Sequence, residues 1–224
     1  MLGVIKNVVS GDQAVRDGRQ MAVKMGYMGG GSLKELSDCT VGLIGFGAIA
    51  RAVADMLQSF GVTVYYTKRH RLSPEEEARY QVQYLSMDEL LKTCDMLSLH
   101  VPVTEETTGM CDREFFAKCR KGSYFVNTSR GELVDDDALR EALENGTIVM
   151  AGLDTLDHEP VQKSHPMLSW PEETKEKILF SPHIGGITGS SFGRGYAMIW
   201  EDIEKISRGE APGHIVNQKE LNRE

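Results

Sequence analysis

Arg130, Asp154, Glu159 and His183 are residue types that together can hold an anion and move a proton. Each follows an apolar, strand-like run. Ser123–Asn127 leads into Thr128-Ser129-Arg130-Gly131-Glu132, and Ile148–Leu153 leads into Asp154 and then Asp157-His158-Glu159-Pro160. The run 178–181 leads into Pro182-His183-Ile184-Gly185-Gly186. A fifth stretch suits an anion through its backbone. The apolar run 41–44 stops at Gly45-Phe46-Gly47, and Ala48-Ile49-Ala50 then opens a helical pattern. In this Gly-x-Gly-x-x-Ala arrangement Gly45 permits a tight turn, Gly47 lets backbone approach a ligand, and Ala50 keeps helix close to strand. The uncapped N–H groups of the helix start then face an anion, best a pyrophosphate.

These stretches need elements to position them. Strand and helix patterns alternate from residue 41 onward. A helix with Ile49, Val53, Met56, Leu57 and Phe60 on one face is expected to stop at Gly61, followed by a strand over 62–66. Ser73-Pro74-Glu75-Glu76 and Ser86-Met87-Asp88-Glu89 read as capping boxes. Strands follow at 96–101, Ser123–Asn127, Ile148–Leu153 and 178–181. Short helices are expected at Arg113–Lys118 and from a cap at Asp135 or Asp136 through Leu143. Short apolar strands separated by helices predict an α/β, doubly wound, mostly parallel (Rossmann) sheet covered on both faces. Ligands of such sheets sit beyond the carboxyl ends of the strands, which is where all five stretches fall.

The ends of the chain read differently. Val4, Ile5, Val8 and Val9 have helical spacing, a second short helix is expected over 12–17, and Gly29-Gly30-Gly31-Ser32 reads as a flexible connector. A final helix over 190–208 places Phe192, Tyr196, Ile199, Ile203 and Ile206 on a seam that needs something to lie against. The organisation expected is a helical segment at 1–30, a dinucleotide-binding domain at 31–187, and a C-terminal helix and tail at 188–224. The formal net charge of −8 argues against a nucleic-acid partner. The sequence has no run long enough for a membrane span and no recognisable signal peptide, and its four cysteines form no Cys-x-x-Cys pair, so a cytoplasmic location with reduced thiols is expected. Asp154, Asp157, His158, Glu159 and His165 match no metal-ligand spacing, and no metal is expected.

Five motifs in order resemble the D-isomer-specific 2-hydroxyacid dehydrogenases: Val41-Gly42-Leu43-Ile44-Gly45-Phe46-Gly47, Asn127-Thr128-Ser129-Arg130-Gly131, Gly152-Leu153-Asp154, His158-Glu159-Pro160 and Ser181-Pro182-His183-Ile184-Gly185-Gly186. The resemblance spans residue 2 to Asn217. It implies a nicotinamide cofactor, hydride transfer to or from a small 2-oxo acid or D-2-hydroxy acid, and a catalytic set of Arg130, Glu159 and His183. Such chemistry makes sense of the residue types. His183 would donate the proton to the carbonyl oxygen, because histidine titrates near neutral pH. Glu159 would orient the imidazole and favour its charged form. Arg130 would present its planar fork to the substrate carboxylate. By resemblance, Asp154 accepts a hydrogen bond from the nicotinamide carboxamide. The implied cofactor site comprises Gly45, Gly47, Ala48, Ile49, Thr67, Lys68, Arg69, His100, Val101, Pro102, Thr107, Thr128, Ser129, Arg130, Asp154, His183 and Gly185.

An NAD-selecting acid belongs about twenty residues after the fingerprint. That position is Thr67, no acid occurs from Val62 to Ser73, and Lys68-Arg69-His70-Arg71 follow. A hydroxyl followed by cations suits a 2′-phosphate, so NADP(H) is expected over NAD(H). Relatives resembling this chain begin with a substrate lobe, whereas Met1 falls in the helix expected after it. The expectation is therefore a chain lacking the N-terminal part of that lobe, binding a dinucleotide but turning over 2-oxo acids weakly or not at all. A homodimer is expected, and a dinucleotide-sensing interaction module of corepressor type stays open as an alternative to an enzyme.

Overall fold

The computed structural model describes residues 1–30 and 33–215. In chain order its elements are α1 (Leu2–Ile5), α2 (Val8–Arg16), α3 (Gln20–Gly30), β1 (Thr40–Ile44), α4 (Ala48–Gln58), β2 (Thr63–Thr67), α5 (Pro74–Tyr80), β3 (Val82–Tyr84), α6 (Met87–Thr93), β4 (Met96–Leu99), α7 (Arg113–Lys118), β5 (Ser123–Asn127), α8 (Asp136–Glu144), β6 (Ile148–Leu153), α9 (Glu172–Lys175), β7 (Ile178–Phe180) and α10 (Gly189–Ser207). The chain divides into two compact units, Met1–Pro182 and His183–Glu224.

The first unit holds a seven-stranded sheet in the order β3-β2-β1-β4-β5-β6-β7, with every pairing parallel. Parallel strands need crossovers, and the helices between them cover both faces. One face packs around Leu90, Leu97, Phe125, Leu139 and Ile148, the other around Val4, Ile5, Leu43, Ala50, Tyr66 and Met96. Strand order reverses at β1, which has β2 on one side and β4 on the other. The cleft at the end of β1 is therefore the topological switch point, where this architecture binds ligands.

Local chemistry explains most element starts. Ser73 and Ser86 form the two expected capping boxes with Glu76 and Glu89, and Asp112 and Asp135 cap α7 and α8 through their side chains. At the opposite end of the sheet from the cleft, the buried Asp95 collects four bonds: from Lys34 Nζ and Arg120 at 2.8 Å, and from the Thr40 N–H and hydroxyl at 3.0 and 2.9 Å. Burial pushes its carboxyl up, but the Lys34 and Thr40 hydrogen bonds outweigh burial and hold it below the ordinary value.

Several expectations need correction. In α4 the buried residues are Ala50, Ala54 and Leu57, while Ile49 and Met56 are exposed, as is Phe60 two residues past its end. Close approach of this helix to the sheet admits small residues, and bulky ones are turned outward. The helix expected at 12–17 runs Val8–Arg16 and is separated from α1 by Asn7 in the left-handed region (φ 46). Val4 and Ile5 are core residues, whereas Val8 and Val9 are exposed. Gly29 and Gly30 of the expected connector end helix α3, and Gly31 and Ser32 lie outside the described residues, as does Asn217. Neither α3 nor the edge strand β3 is signalled by the sequence pattern.

In the second unit, Thr188 caps α10 in a box with Ser191. Asp202 accepts hydrogen bonds from Gly213 N–H at 2.7 Å and His214 Nδ1 at 2.9 Å. The seam residues Phe192, Tyr196, Ile199, Ile203 and Ile206 are all exposed. Among the described residues no helix is long and apolar enough to cross a membrane.

Candidate functional site

A cavity of about 550 Å³ opens at the switch point. Three loops line it: Gly47–Ala50 after β1, His100–Val103 after β4, and Thr128–Arg130 after β5. The turn at its floor is demanding. Gly45 has φ +91, and a Cβ there would lie 2.5 Å from the His100 carbonyl oxygen. Its N–H donates to the Thr67 carbonyl at 2.9 Å, while His100 N–H donates to the Ile44 carbonyl at 2.7 Å, so the turn is pinned to both flanking strands. Gly47 is the opposite case. A Cβ there meets nothing within 4 Å, and no side chain caps the N-terminus of α4 that it begins. The first N–H groups of a helix have no intrahelical partner. An open, uncapped helix start beside a cleft of this volume fits the pyrophosphate of a dinucleotide.

The rim is organised by side chains that the sequence reading passed over or assigned differently. Buried Asn127 ends β5, accepts the Ser129 N–H at 2.9 Å and donates to the Arg130 carbonyl at 2.7 Å. The Ser129 hydroxyl donates to the Leu99 carbonyl at 2.8 Å, tying this loop to the end of β4. Arg130 is exposed at the cavity wall with one guanidinium N–H on the Ser129 carbonyl at 2.7 Å, which aims the fork without closing it. A Cβ at Gly131 would lie 1.9 Å from the Leu156 carbonyl carbon and 2.0 Å from the Asp157 nitrogen. The Arg130 loop therefore rests directly on the backbone of the Glu159 loop. Within that loop Leu156 N–H donates to Glu159 Oε1 at 3.0 Å, and buried His165 bonds the Asp157 carbonyl through Nε2 at 3.0 Å. A polar residue closing an apolar strand was the available signal for Asn127; no local signal marks the Gly131 contact.

Asp154 lies elsewhere on the rim. It is buried, accepts the Ser181 hydroxyl, and lines a smaller hollow of about 180 Å³ with Val126, Thr128, Gly152 and Leu153 among its walls. Thr128 lines both hollows. His183 begins the second unit, half-buried, with φ 52.

The ribose side of the expected cofactor set is less uniform. Thr67 is buried at the end of β2 and serves the Gly45 turn through its carbonyl. Thr67, Lys68 and Arg69 are not among the lining residues of the larger cavity. Arg69 is ion-paired with Glu106, and Arg71 holds Glu77 with two bonds of 2.8 and 2.9 Å. Thr107 organises its own turn: its hydroxyl donates to the Pro102 carbonyl at 2.7 Å and accepts from Thr104 N–H at 2.8 Å.

His100 is the perturbed histidine of the cleft. Burial pushes its imidazole down to about 4, and Nε2 lies 3.1 Å from the Ser98 hydroxyl. The folded pKa is below the unfolded one, so the unfolded chain takes up the proton first, and stability falls as pH drops from about 6.5 toward 4. His100→Gln should flatten that part of the pH–stability curve measured by urea midpoint. An unchanged slope would contradict a neutral, half-buried His100.

Residues 1–185 match the family described as D-isomer specific 2-hydroxyacid dehydrogenase, NAD binding domain. A glyoxylate reductase of Korarchaeum cryptofilum (strain OPF8) is 34% identical over 225 aligned residues, covering 98% of this chain and 64% of that protein. Among solved structures, a glyoxylate reductase from Paecilomyes thermophila superposes with a TM-score of 0.81 at 29% identity, covering 97% of this chain and 62% of the other. An NAD-complexed D-isomer specific 2-hydroxyacid dehydrogenase from Lactobacillus delbrueckii ssp. bulgaricus gives a TM-score of 0.72 at 34% identity, covering 83% and 58%. The chain thus spans a little under two thirds of the length of these relatives. With its fingerprint turn at the switch point and its ordered rim motifs, the chain belongs to the D-isomer specific 2-hydroxyacid dehydrogenase family.

Proposed function

We propose that this chain supplies the dinucleotide-binding part, here assigned to residues 31–187, of an oxidoreductase acting on a small 2-oxo acid or D-2-hydroxy acid. The observation that carries the reading is the exposed Arg130 at the wall of the same cavity that the uncapped start of α4 enters. The nicotinamide cofactor would supply the hydride. Backbone N–H groups at Gly47, Ala48 and Ile49 bind the pyrophosphate, and His100, Val101, Pro102, Thr128 and Ser129 wall the cleft. Asp154 receives the carboxamide. Arg130 binds the substrate carboxylate and polarises the carbonyl, and His183, oriented by Glu159, gives its proton to the carbonyl oxygen.

NADP(H) is the preferred cofactor in this reading, supported by the absence of an acid between Val62 and Ser73 and by the exposed Arg69. The protein works in the cytoplasm, and exposed Val8 and Val9 support pairing of two copies. Because the family match is to the NAD-binding domain and the chain spans 64% of its relative, turnover by these 224 residues alone is weak.

The test is a titration with NADPH and NADH followed by absorbance decay with a panel of 2-oxo acids. Tighter NADPH, slow reduction, and loss of that residual rate in His183→Gln are expected. Tighter NADH binding would overturn the cofactor preference, robust glyoxylate or hydroxypyruvate reduction would overturn the weak turnover, and an unchanged rate in His183→Gln would remove His183 as proton donor.

A further inference from the structure

The loops following β2 and β4 are tied together at the end of β1. These strands are the two neighbours of β1, Arg69 follows one and Glu106 the other, and the two side chains form an ion pair. The Glu106 side is firmly built. Besides the Thr107 bonds to Pro102 and Thr104, the Thr108 hydroxyl donates to the Thr104 carbonyl at 2.7 Å, and Gly109 N–H donates to the Glu132 carbonyl at 2.8 Å. Pro102 and Val103, which lead into this turn, wall the larger cavity. On the other side, Thr67, two residues before Arg69, holds the Gly45 turn through its carbonyl. Arg71 already gives two donors to Glu77 within its own neighbourhood. Arg69 is different, because its anion comes from the loop after β4.

We propose that Glu106 is a specificity-determining residue of the cofactor site, competing with the 2′-phosphate of NADP(H) for Arg69. The inference rests on the reading that Arg69 meets that phosphate. Both partners are 72% exposed, so the pair is weak and salt-screened, and its exchange for another anion is easy. A phosphate monoester carries more negative charge than a carboxylate and offers three acceptor oxygens, so it can take the guanidinium. The displaced carboxylate then repels it from close range. NAD(H) presents only ribose hydroxyls there and leaves the pair in place. Glu106 therefore narrows the preference for NADP(H).

Dissociation constants for NADPH and NADH, read by nicotinamide fluorescence at low ionic strength, test this in the wild-type chain, Glu106→Gln, Arg69→Ala and the double variant. All are exposed positions at which folding should survive. Glu106→Gln should tighten NADPH by roughly threefold to fivefold, the scale of an exposed ion pair, leave NADH within about twofold, and lose its effect in the Arg69→Ala background. If Arg69→Ala weakens NADPH while Glu106→Gln changes nothing, Glu106 is no competitor and this proposal alone fails. A gain that persists in the double variant reflects only the overall negative charge, and a loss of NADH affinity in Glu106→Gln makes Glu106 a ribose ligand; either result overturns the proposal. If Arg69→Ala leaves NADPH unaffected, the underlying reading fails and the proposal with it.

Discussion

Gly131→Ala is expected to lower stability by about 3 kcal/mol or more, the upper end of what overpacking costs, and to disturb Arg130 and Glu159 together. Backbone conformation is not the reason, because Gly131 is not among the glycines with positive φ. The reason is space. The added methyl carbon would lie 1.9 Å from the Leu156 carbonyl carbon, 2.0 Å from the Asp157 nitrogen and 2.2 Å from the Leu156 oxygen, and all three are main-chain atoms. No rotamer change can relieve such a contact, so one loop must move away from the other. Leu156 N–H is the partner of Glu159 Oε1, and the Asp157 carbonyl is the partner of His165. A shift of Leu156 and Asp157 therefore unseats both of these bonds in the Glu159 loop. The urea midpoint measures the effect; a variant with wild-type midpoint and wild-type NADPH affinity would show that the two loops do not abut.

Gly47→Val should do the reverse, sparing the fold and removing the ligand. The backbone of Gly47 is extended (φ −90, ψ −164), a conformation that valine adopts readily, and its Cβ would enter open space. The cost to stability should stay at about 1 kcal/mol, that of a poor N-cap residue. The space it fills is the approach to the first N–H groups of α4. Losing two charge-assisted hydrogen bonds to a pyrophosphate costs on the order of 100-fold or more in affinity. Gly45, two residues earlier, has the opposite character: its left-handed backbone and the nearby His100 carbonyl make it a residue of the fold before it is a residue of the site.

That contrast also marks how far the sequence could be read. The strand–turn–helix at Gly45, the two capping boxes, the ends of β5 and β6, and the position of Arg130 just past the end of β5 were legible because each rests on local chemistry. The inward face of α4 was not. Hydrophobicity pointed to Ile49, Met56 and Phe60, but close packing on the sheet selects Ala50 and Ala54, which have no exposed surface. Helix α3 was missed because it has no buried residue and ends in two glycines that read as a connector. Strand β3 is three residues long, too short to show alternation. In the site, the unread features are contacts between loops distant in sequence: Gly131 on Leu156, Ser129 on Leu99, Arg69 with Glu106. Strand order decides which loops become neighbours, and no spacing within one loop reveals it. The basic stretch 68–71 shows the consequence most clearly, since only the fold reveals Glu106 beside Arg69 and Glu77 beside Arg71.

The most direct measurement is a fluorescence titration of the 224-residue chain with NADPH, run beside Gly47→Val and with urea midpoints for both. Saturable binding of one dinucleotide per wild-type chain, lost in a Gly47→Val chain that still unfolds cooperatively near the wild-type midpoint, is the expected result. A folded wild-type chain that binds no dinucleotide, or a Gly47→Val chain that binds it equally well, would contradict the placement of the cofactor at the start of α4.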